Sequence, residues 1–309
     1  MASGTVVCVG RNSLDHYYRC VNKLRIGEKI LLESIGSYYG GMIPNAASIL
    51  SSLGLNVFLF DTLGKDTVSE EFKKDLQLHG VETVHIHDDL SYIIPENTII
   101  LNEREGIFQS TIFIMDKPRI PYTVSEVEAH CMTTSDIIYT TTKDLASVVN
   151  FDVHSFLREY PVRLVLDVED IELRITDQDR RFLLDADIII FNKSGYDTVR
   201  NEYEAGFFTM LLSSKPDKLI IHTQGSNGCS VYYHGSVAMV DGIQVTTLDP
   251  TGAGDAFNAV LIACLLDGDS PEEAAIKANK AAAESTTAVG PRAYLGLMHK
   301  NSSHRAIVN

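Results

Sequence analysis

Short apolar runs alternate along the chain with stretches whose apolar residues recur at helical spacing. The runs that predict strands lie at 5–10, 55–60, 82–87, 136–140, 162–167, 187–191 and 217–222. Helical patterns separate most of these runs. Such an order predicts βαβ units, a mostly parallel central sheet, and ligands bound beyond the carboxyl ends of the strands.

Two segments break the alternation. Residues 12–39 and 91–116 have the pattern of β-structure without crossover helices, and the run Asn102–Gly106 has the composition of a hairpin turn. They predict a small antiparallel β lid. The remaining residues, 1–11, 40–90 and 117–309, would then form the α/β core that binds nucleotide and substrate.

The segment Asp249–Phe257 places two glycines and a carboxylate at the entrance of an apolar helix. The run 243–248 before it predicts a strand, so the segment is expected at a strand-to-helix turn. Backbone N–H groups at a helix start lack intrahelical partners and carry partial positive charge. Gly252, Ala253 and Gly254 can therefore surround an anionic oxygen closely.

Asp255 lies inside this predicted anion pocket. A carboxylate there repels a bound phosphate, which is a poor arrangement unless the carboxylate must take a proton. In phosphoryl transfer from ATP, a carboxylate deprotonates the attacking hydroxyl while backbone donors neutralise the moving phosphoryl group. Asp255 is thus a candidate base, and the alternative is an ordinary helix start with an acid in its first turn.

A second glycine-rich turn opens another predicted helix at residues 40–54. Pro44 suits a first helical turn and Gly54 suits a helix stop. Gly40 and Gly41 allow a small polyhydroxylated ligand to approach the backbone, and Asn45 offers both a donor and an acceptor to a diol. The alternative for Asn45 is a helix cap.

These two stretches together resemble the signatures of the ribokinase-like carbohydrate kinases, also called the PfkB family. The resemblance extends along nearly the whole chain. It implies a three-layer αβα fold with a mostly parallel sheet and a small β lid. It also implies an ATP-dependent kinase that uses Mg²⁺ and K⁺, with a homodimer through the lid.

The resemblance also implies a role for each matched residue. The catalytic group comprises Asp255 as base with Gly252, Ala253 and Gly254 as the anion hole. The residues that bind the acceptor are Asp15, Gly40, Gly41 and Asn45. The residues near the monovalent-cation site are Asp249 and Thr251. The nucleotide-binding residues are Asn192, Thr223, Gly225, Gly228 and Asn279.

One position departs from the family pattern. The family commonly has Asn-x-x-Glu after a central strand, whereas this chain has Asn192-Lys193-Ser194-Gly195. Glycine stands where the glutamate would contribute to the magnesium and phosphate environment. Either water or another acid substitutes for it, or turnover is slow.

Composition narrows the function class. The 309 residues are 45% hydrophobic, with a formal net charge of −15 and a pI of about 5.0. An acidic chain without a Lys/Arg cluster does not predict a nucleic-acid or anionic-membrane partner. Five scattered cysteines, and an N-terminus without the pattern of a signal peptide, predict a reduced cytoplasmic enzyme.

The leading hypothesis is a kinase that phosphorylates a hydroxyl of a small sugar or sugar derivative. One alternative is a nucleoside kinase of the same fold, in which lid aromatics stack on the base. Those aromatics would be Tyr17, Tyr18, Tyr38, Tyr39 and Phe113. The other alternative is a sugar- and nucleotide-binding protein that has lost turnover, suggested by Gly195. The sequence identifies neither the acceptor, nor the hydroxyl, nor the oligomeric state.

Overall fold

A nine-stranded sheet forms the middle layer of the protein. The structure is a computed structural model, and it describes residues 4–20, 27, 29–104, 107–115, 117–169, 176–202 and 206–298. The strands are β1 (Thr5–Val9), β2 (Ser13–Cys20), β3 (Leu32–Gly40), β4 (Asn56–Leu63), β5 (Ile86–Asp88), β6 (Glu96–Arg104), β7 (Ile107–Phe113), β8 (Tyr122–Thr123), β9 (Ile137–Thr141), β10 (Val148–Val149), β11 (Arg163–Val168), β12 (Ile188–Phe191), β13 (Leu219–Thr223), β14 (Gly228–Tyr233) and β15 (Ser236–Asp241). The order across the large sheet is β15-β14-β13-β12-β11-β9-β1-β4-β5.

Helices connect and cover these strands. They are α1 (Met42–Ser52), α2 (Thr67–Leu78), α3 (Glu126–Thr133), α4 (Thr142–Ser147), α5 (Val153–Glu159), α6 (Asp177–Asp185), α7 (Lys193–Glu202), α8 (Phe207–Leu212), α9 (Ala253–Leu266) and α10 (Pro271–Ser285). A short helical segment follows at 293–298. Among the described residues, no helix is both long enough and apolar enough to cross a membrane.

The central strands are buried on both faces. Along β1, Val6 and Cys8 belong to one apolar cluster, and Val7 and Val9 belong to the other. Successive side chains of a strand point to opposite faces, so each cluster packs one helical layer against the sheet. The pairs from β5 to β13 are parallel, whereas β13, β14 and β15 pair antiparallel. The predicted three-layer α/β fold is confirmed.

A second sheet of four strands has the order β3-β2-β6-β7. The pairs β2–β3 and β6–β7 are antiparallel, and a parallel pairing of β2 with β6 joins them. Tyr17, Ile99 and Leu101 form its own small core. The predicted separate lid sheet is therefore confirmed, while residues 105 and 106 of the predicted hairpin turn lie outside the described residues. The residue-level division into core and lid stays a prediction.

Two strand predictions differ from the structure. Residues 243–248 are not a strand, and Ile243, Val245 and Leu248 are partly exposed there. The strands before them, β14 and β15, were not predicted. The segment 243–248 alternates like a strand, but no neighbouring strand pairs with it. Of the predicted strand 82–87, only Ile86 and His87 belong to β5. Glu82 instead forms a single isolated bridge with Phe58.

Candidate active site

A cavity of about 320 Å³ lies at the carboxyl edge of the parallel strands. Residues that follow β1, end β9 or follow β11 line it, namely Arg11, Asn12, Ser13, Thr141 and Glu169. The second sheet lines it through Asp15 of β2, Asn97 and Ile99 of β6, and Ser110 and Ile112 of β7, and Ile114 and Met115 follow β7 in the same wall. The cavity is thus placed where ligands bind in open α/β sheets, and the second sheet lines its other side.

Asp255 lies in the first turn of α9 and lines this cavity. Its carboxylate is 8% exposed, and Asn45 Nδ2 donates to its Oδ2 at 2.8 Å. Burial raises the pKa of Asp255 to about 8, although the hydrogen bond from Asn45 lowers it; the nearby charges of Glu169 and Asp15 raise it further. A carboxyl group with such a pKa can hold and release a proton near neutral pH.

The glycines around Asp255 occupy different environments. Gly252 has a φ of 79° as the N-cap of α9, and a Cβ on it would lie 2.0 Å from the Pro291 carbonyl oxygen. Gly254 has open space beside its Cα, and both glycines line the cavity. Ala253 is not among the described residues that line the cavity, and its N–H donates to the Pro250 carbonyl oxygen within the turn. The structure therefore brings two of the three predicted anion-hole residues to the cavity.

Asp15 is held by two neighbours that the sequence analysis did not identify. Ser13 Oγ and Asn97 Nδ2 donate to its Oδ1 at 2.9 and 2.8 Å. Burial is the main reason that the pKa of Asp15 is raised. Gly40 does not line the cavity, but a Cβ on it would lie 2.1 Å from Asp15 Oδ2, so it leaves room for the carboxylate. Gly41, with a φ of 104°, lines the cavity directly.

Asn45 also makes contacts within the protein that the sequence did not predict. It lies inside the first turns of α1 and caps nothing, because Gly41 is the N-cap. Its Oδ1 accepts from Arg292 Nε at 2.9 Å while its Nδ2 donates to Asp255. Both ends of the amide thus have protein partners. Asn45 also lines the cavity, so its side chain can still contact an acceptor there.

Asp249 ties two loops together below the cavity. It is fully buried, and its two oxygens accept from Thr251 N and Gly290 N, each at 2.9 Å. Thr251 Oγ1 and the Tyr17 hydroxyl are buried without a hydrogen-bond partner among the described residues. Oxygen atoms of this kind suit a hard cation.

The predicted nucleotide-binding residues lie along neighbouring strands, and none of them belongs to the described lining of the cavity. Thr223 ends β13, and the turn from Gly225 to Gly228 leads into β14. Asn279 Nδ2 lies 3.5 and 3.3 Å from carbonyl oxygens of β15 at Val240 and Asp241. Its amide therefore fastens α10 to that strand.

Asn192 and Gly195 form the start of α7. Asn192 Oδ1 accepts from Gly195 N at 2.8 Å, which satisfies a backbone donor of the first turn. A Cβ on Gly195 would lie 2.3 Å from the Val168 carbonyl oxygen. A glutamate has no room there, whereas Glu169 follows Val168 and lines the cavity. The sequence analysis did not single out Glu169; its position two residues after the predicted strand 162–167 was the available signal.

The lid aromatics do not line the described part of the cavity. Tyr17 is buried and meets Tyr38 edge to face, with ring centroids 5.1 Å apart. Tyr39 packs on Phe72 at 5.3 Å, and Phe113 is exposed. The apolar residues with which the lid region lines the cavity are aliphatic or Met, namely Ile99, Ile112, Ile114 and Met115. The described residues contain no group of three or more His, Cys, Asp or Glu side chains that could hold a metal ion.

Known proteins share this sequence pattern and fold. The sequence model of the pfkB family carbohydrate kinases matches residues 3–131 and 161–295. Ribokinase of Haemophilus influenzae is 24% identical over 301 residues, covering 93% of both chains. A nucleoside kinase of Methanocaldococcus jannaschii is 21% identical over 276 residues, covering 85% of this chain and 84% of the other.

The fold comparison agrees with the sequence comparison. The structure of Arabidopsis thaliana ribokinase complexed with ribose and ATP has a TM-score of 0.73 and 20% identity, over 95% of this chain and 96% of that chain. The family match covers most of this chain and includes the segments that carry Asp15, Asn45 and Asp255. The chain belongs to the pfkB family of carbohydrate kinases.

Proposed function

We propose that this enzyme transfers the terminal phosphoryl group of ATP to a hydroxyl of a small sugar or sugar derivative. The observation that carries the proposal is the placement of Asp255. It is a buried carboxyl at the N-terminus of α9, with Gly252 and Gly254, and it faces the same cavity as Asp15. A proton acceptor, backbone donors and a hydroxyl-binding carboxylate then act on one acceptor.

Each residue has a chemical task in this mechanism. Asp15 accepts hydrogen bonds from acceptor hydroxyls, and the backbone at Gly41 allows a close approach. Asp255 takes the proton of the attacking hydroxyl. The helix start at Gly252 and Gly254 stabilises charge on the phosphoryl group during transfer. Residues of the second sheet limit access of water, which competes as phosphoryl acceptor.

We assign Mg²⁺ to the neighbourhood of Glu169. Mg²⁺ in kinases is bound by one or two carboxylates together with substrate phosphates, and it neutralises charge on those phosphates. Glu169 lines the cavity, and its charge raises the pKa of Asp255. It is the acid that substitutes for the glutamate missing at Gly195.

We assign K⁺ to the loop of Asp249 and Thr251. The unpartnered Thr251 Oγ1 and the buried Asp249 carboxylate fit a monovalent cation there. Such a cation would hold the loop that leads into Gly252. The nucleotide roles of Asn192, Thr223, Gly225, Gly228 and Asn279, the lid dimer and the cytoplasmic location remain predictions.

A nucleoside kinase is the second candidate. The apolar wall of Ile99, Ile112, Ile114 and Met115 would cover the flat face of a base, although without aromatic stacking. The relative from Methanocaldococcus jannaschii bears that name. A neutral sugar would instead use the polar wall around Asp15 and Asn97. The two candidates therefore differ in which wall the acceptor occupies.

The test is ADP production by the purified protein with Mg²⁺ and K⁺ over pentoses, hexoses, sugar acids, sugar phosphates and nucleosides. We expect acceptor-dependent ADP with one compound class. Asp255→Asn should lower turnover by about 10²–10⁴-fold, whereas exposed Asp136→Asn, at the opposite end of β9, should not. Bound ATP without product over the whole panel would instead support the binding protein that has lost turnover.

A further inference from the structure

A buried arginine lies behind the proposed base without lining the described part of the cavity. Arg292 Nε donates to Asn45 Oδ1 at 2.9 Å, and its Nη1 is hydrogen-bonded to Asp75 on α2. Its guanidinium carbon lies 5.8 Å from the Phe72 ring centroid. The side chain is 9% exposed. Two other segments, α1 and α2, thus hold one cation in a fixed position.

The hydrogen bonds of Arg292 determine how the Asn45 amide is oriented. A guanidinium only donates, so the atom of Asn45 that faces it must be the oxygen. The amide nitrogen then faces Asp255 and donates to Oδ2 at 2.8 Å. In the reversed orientation, the amide nitrogen of Asn45 would face Arg292 Nε, which is also a donor. The amide oxygen would face Asp255 Oδ2, which is also an acceptor. Only one orientation lets the Asn45 amide accept from Arg292 Nε and donate to Asp255 Oδ2.

This orientation matters because Asp255 has two oxygens. One of them, Oδ2, is held by Asn45 on the protein side, which leaves Oδ1 for the acceptor hydroxyl. A carboxylate that rotates freely would present either oxygen, and misplacement of a reacting group by about 1 Å can cost 10²-fold in rate. Fixing the amide therefore fixes the base.

We propose that Arg292 is a positioning residue for phosphoryl transfer: it orients Asn45, which holds Asp255 with one oxygen directed at the acceptor. The proposal rests on the proposed function, because it assigns Asp255 the role of base. It gives Asn45 a task beyond the hydroxyl binding predicted from the sequence. Asp75 and Phe72 contribute by holding Arg292 from α2.

The first test is steady-state kinetics of Arg292→Met and Arg292→Lys. Methionine cannot donate, so kcat should fall roughly 10- to 100-fold while KM for ATP and acceptor stays within about threefold. Lysine donates but cannot accept, so it should retain the amide orientation and recover most of kcat. The matched control is Arg180→Met, which removes an arginine stacked 4.8 Å over Phe207, away from the site. It should leave kcat unchanged.

The pH profile separates positioning from a general loss of structure. The charged groups that act on Asp255 are Glu169, Asp15 and Arg292, and the titratable groups of Asp167, Tyr139 and Tyr17 also interact with it. The Arg292 cation lowers the pKa of Asp255, so its removal should move the acidic limb of kcat to higher pH. A site that is distorted while the charges around Asp255 stay the same would lose rate without a shift of the acidic limb.

A measurement without turnover keeps the two proposals distinguishable. Hydrogen exchange of the Asn45 side-chain amide, followed by NMR, should be slow in the wild type and fast in Arg292→Met. This measurement tests the contact between Arg292 and Asn45 even if the protein phosphorylates no acceptor. A lack of phosphorylation would overturn the proposed function and leave the contact standing. A folded Arg292→Met protein with wild-type kcat, pH profile and amide exchange overturns the positioning role. If that variant does not fold, Asp75→Ala decides: a lower kcat at constant KM supports the role, and an unchanged kcat overturns it.

Discussion

Gly195 lies directly against the end of β11, and a Cβ on it would be 2.3 Å from the Val168 carbonyl oxygen. The obstacle is backbone, which cannot rotate away as a side chain can. The start of α7 and the end of β11 therefore approach each other only because position 195 has no side chain. The same approach leaves no room for a glutamate at position 195, which is why the proposed Mg²⁺ role falls to Glu169 of the cavity lining.

We expect Gly195→Ala to destabilise the protein by about 1–3 kcal/mol, since overpacking a close contact forces a backbone shift. Gly195→Glu should be worse and should not improve turnover. Gly296→Ala is the matched control, because it lies in the helical segment 293–298 with open space around its Cβ position. Urea unfolding measures both. Equal stability of the two alanine variants would contradict the packing argument.

Glu169→Gln should weaken the use of Mg²⁺. Loss of a carboxylate near a metal typically costs 10–100-fold in metal affinity, so the Mg²⁺ concentration for half-maximal rate should rise by roughly tenfold or more. Turnover at saturating Mg²⁺ should recover much of the wild-type rate. Because the Glu169 charge raises the pKa of Asp255, the acidic limb of kcat should also move to lower pH.

A Mg²⁺ titration of kcat at fixed ATP checks this prediction. The exposed Glu82→Gln variant controls for the loss of one negative charge and should titrate as the wild type does. An unchanged Mg²⁺ midpoint in Glu169→Gln would remove Glu169 from the metal environment and leave water as the substitute.

Local signals in the sequence were sufficient for the helix starts. Pro44 predicted the beginning of α1, where it lies in the first turn. Gly252 predicted the turn into α9, which requires the positive φ that glycine tolerates. These predictions held because a helix start depends on a few neighbouring residues.

Contacts between distant segments could not be predicted in the same way. The Asn97–Asp15 and Arg292–Asn45 hydrogen bonds join residues 82 and 247 positions apart. No periodicity indicates which side chains converge after folding. The hairpin of β14 and β15 did carry a local signal in the sequence, the pair His234-Gly235 between two alternating runs, and both residues have positive φ in the structure.

Asn97→Ala should weaken acceptor binding with little effect on the chemical step. Asn97 Nδ2 holds Asp15 at 2.8 Å, and its Oδ1 accepts from Met115 N at 3.2 Å. Loss of a hydrogen bond to a charged group costs about 1.5–3 kcal/mol, so the acceptor KM should rise about 10-fold or more. Because Asp15 does not take the proton, kcat should stay within about threefold.

The control for this variant is Asn102→Ala on the same strand, outside the described lining of the cavity. Initial rates over a range of acceptor concentrations give both constants. A drop in kcat at constant acceptor KM would contradict the assignment of Asp15 and Asn97 to acceptor binding.

The buried Asp255 should make the protein less stable as pH rises. Its pKa is raised from 3.8 to about 8 in the folded protein, mainly by burial. Between these values the folded state binds a proton that the unfolded state has released, so the free energy of unfolding falls with increasing pH. The contribution is fully present below pH 4 and is lost as pH passes through about 8.

Asp255→Asn removes this dependence because asparagine has the same shape and does not ionise. Wild type and variant should have similar stability near pH 4, and the variant should be more stable by about 1–3 kcal/mol at pH 9. Urea unfolding at several pH values, with exposed Asp136→Asn as control, measures the difference. Parallel stability curves for wild type and Asp255→Asn would show that burial does not raise the pKa of this carboxyl. A variant that gains stability at high pH while it loses turnover would indicate that the buried carboxyl of Asp255 is kept for its chemistry, since folding alone favours the neutral side chain.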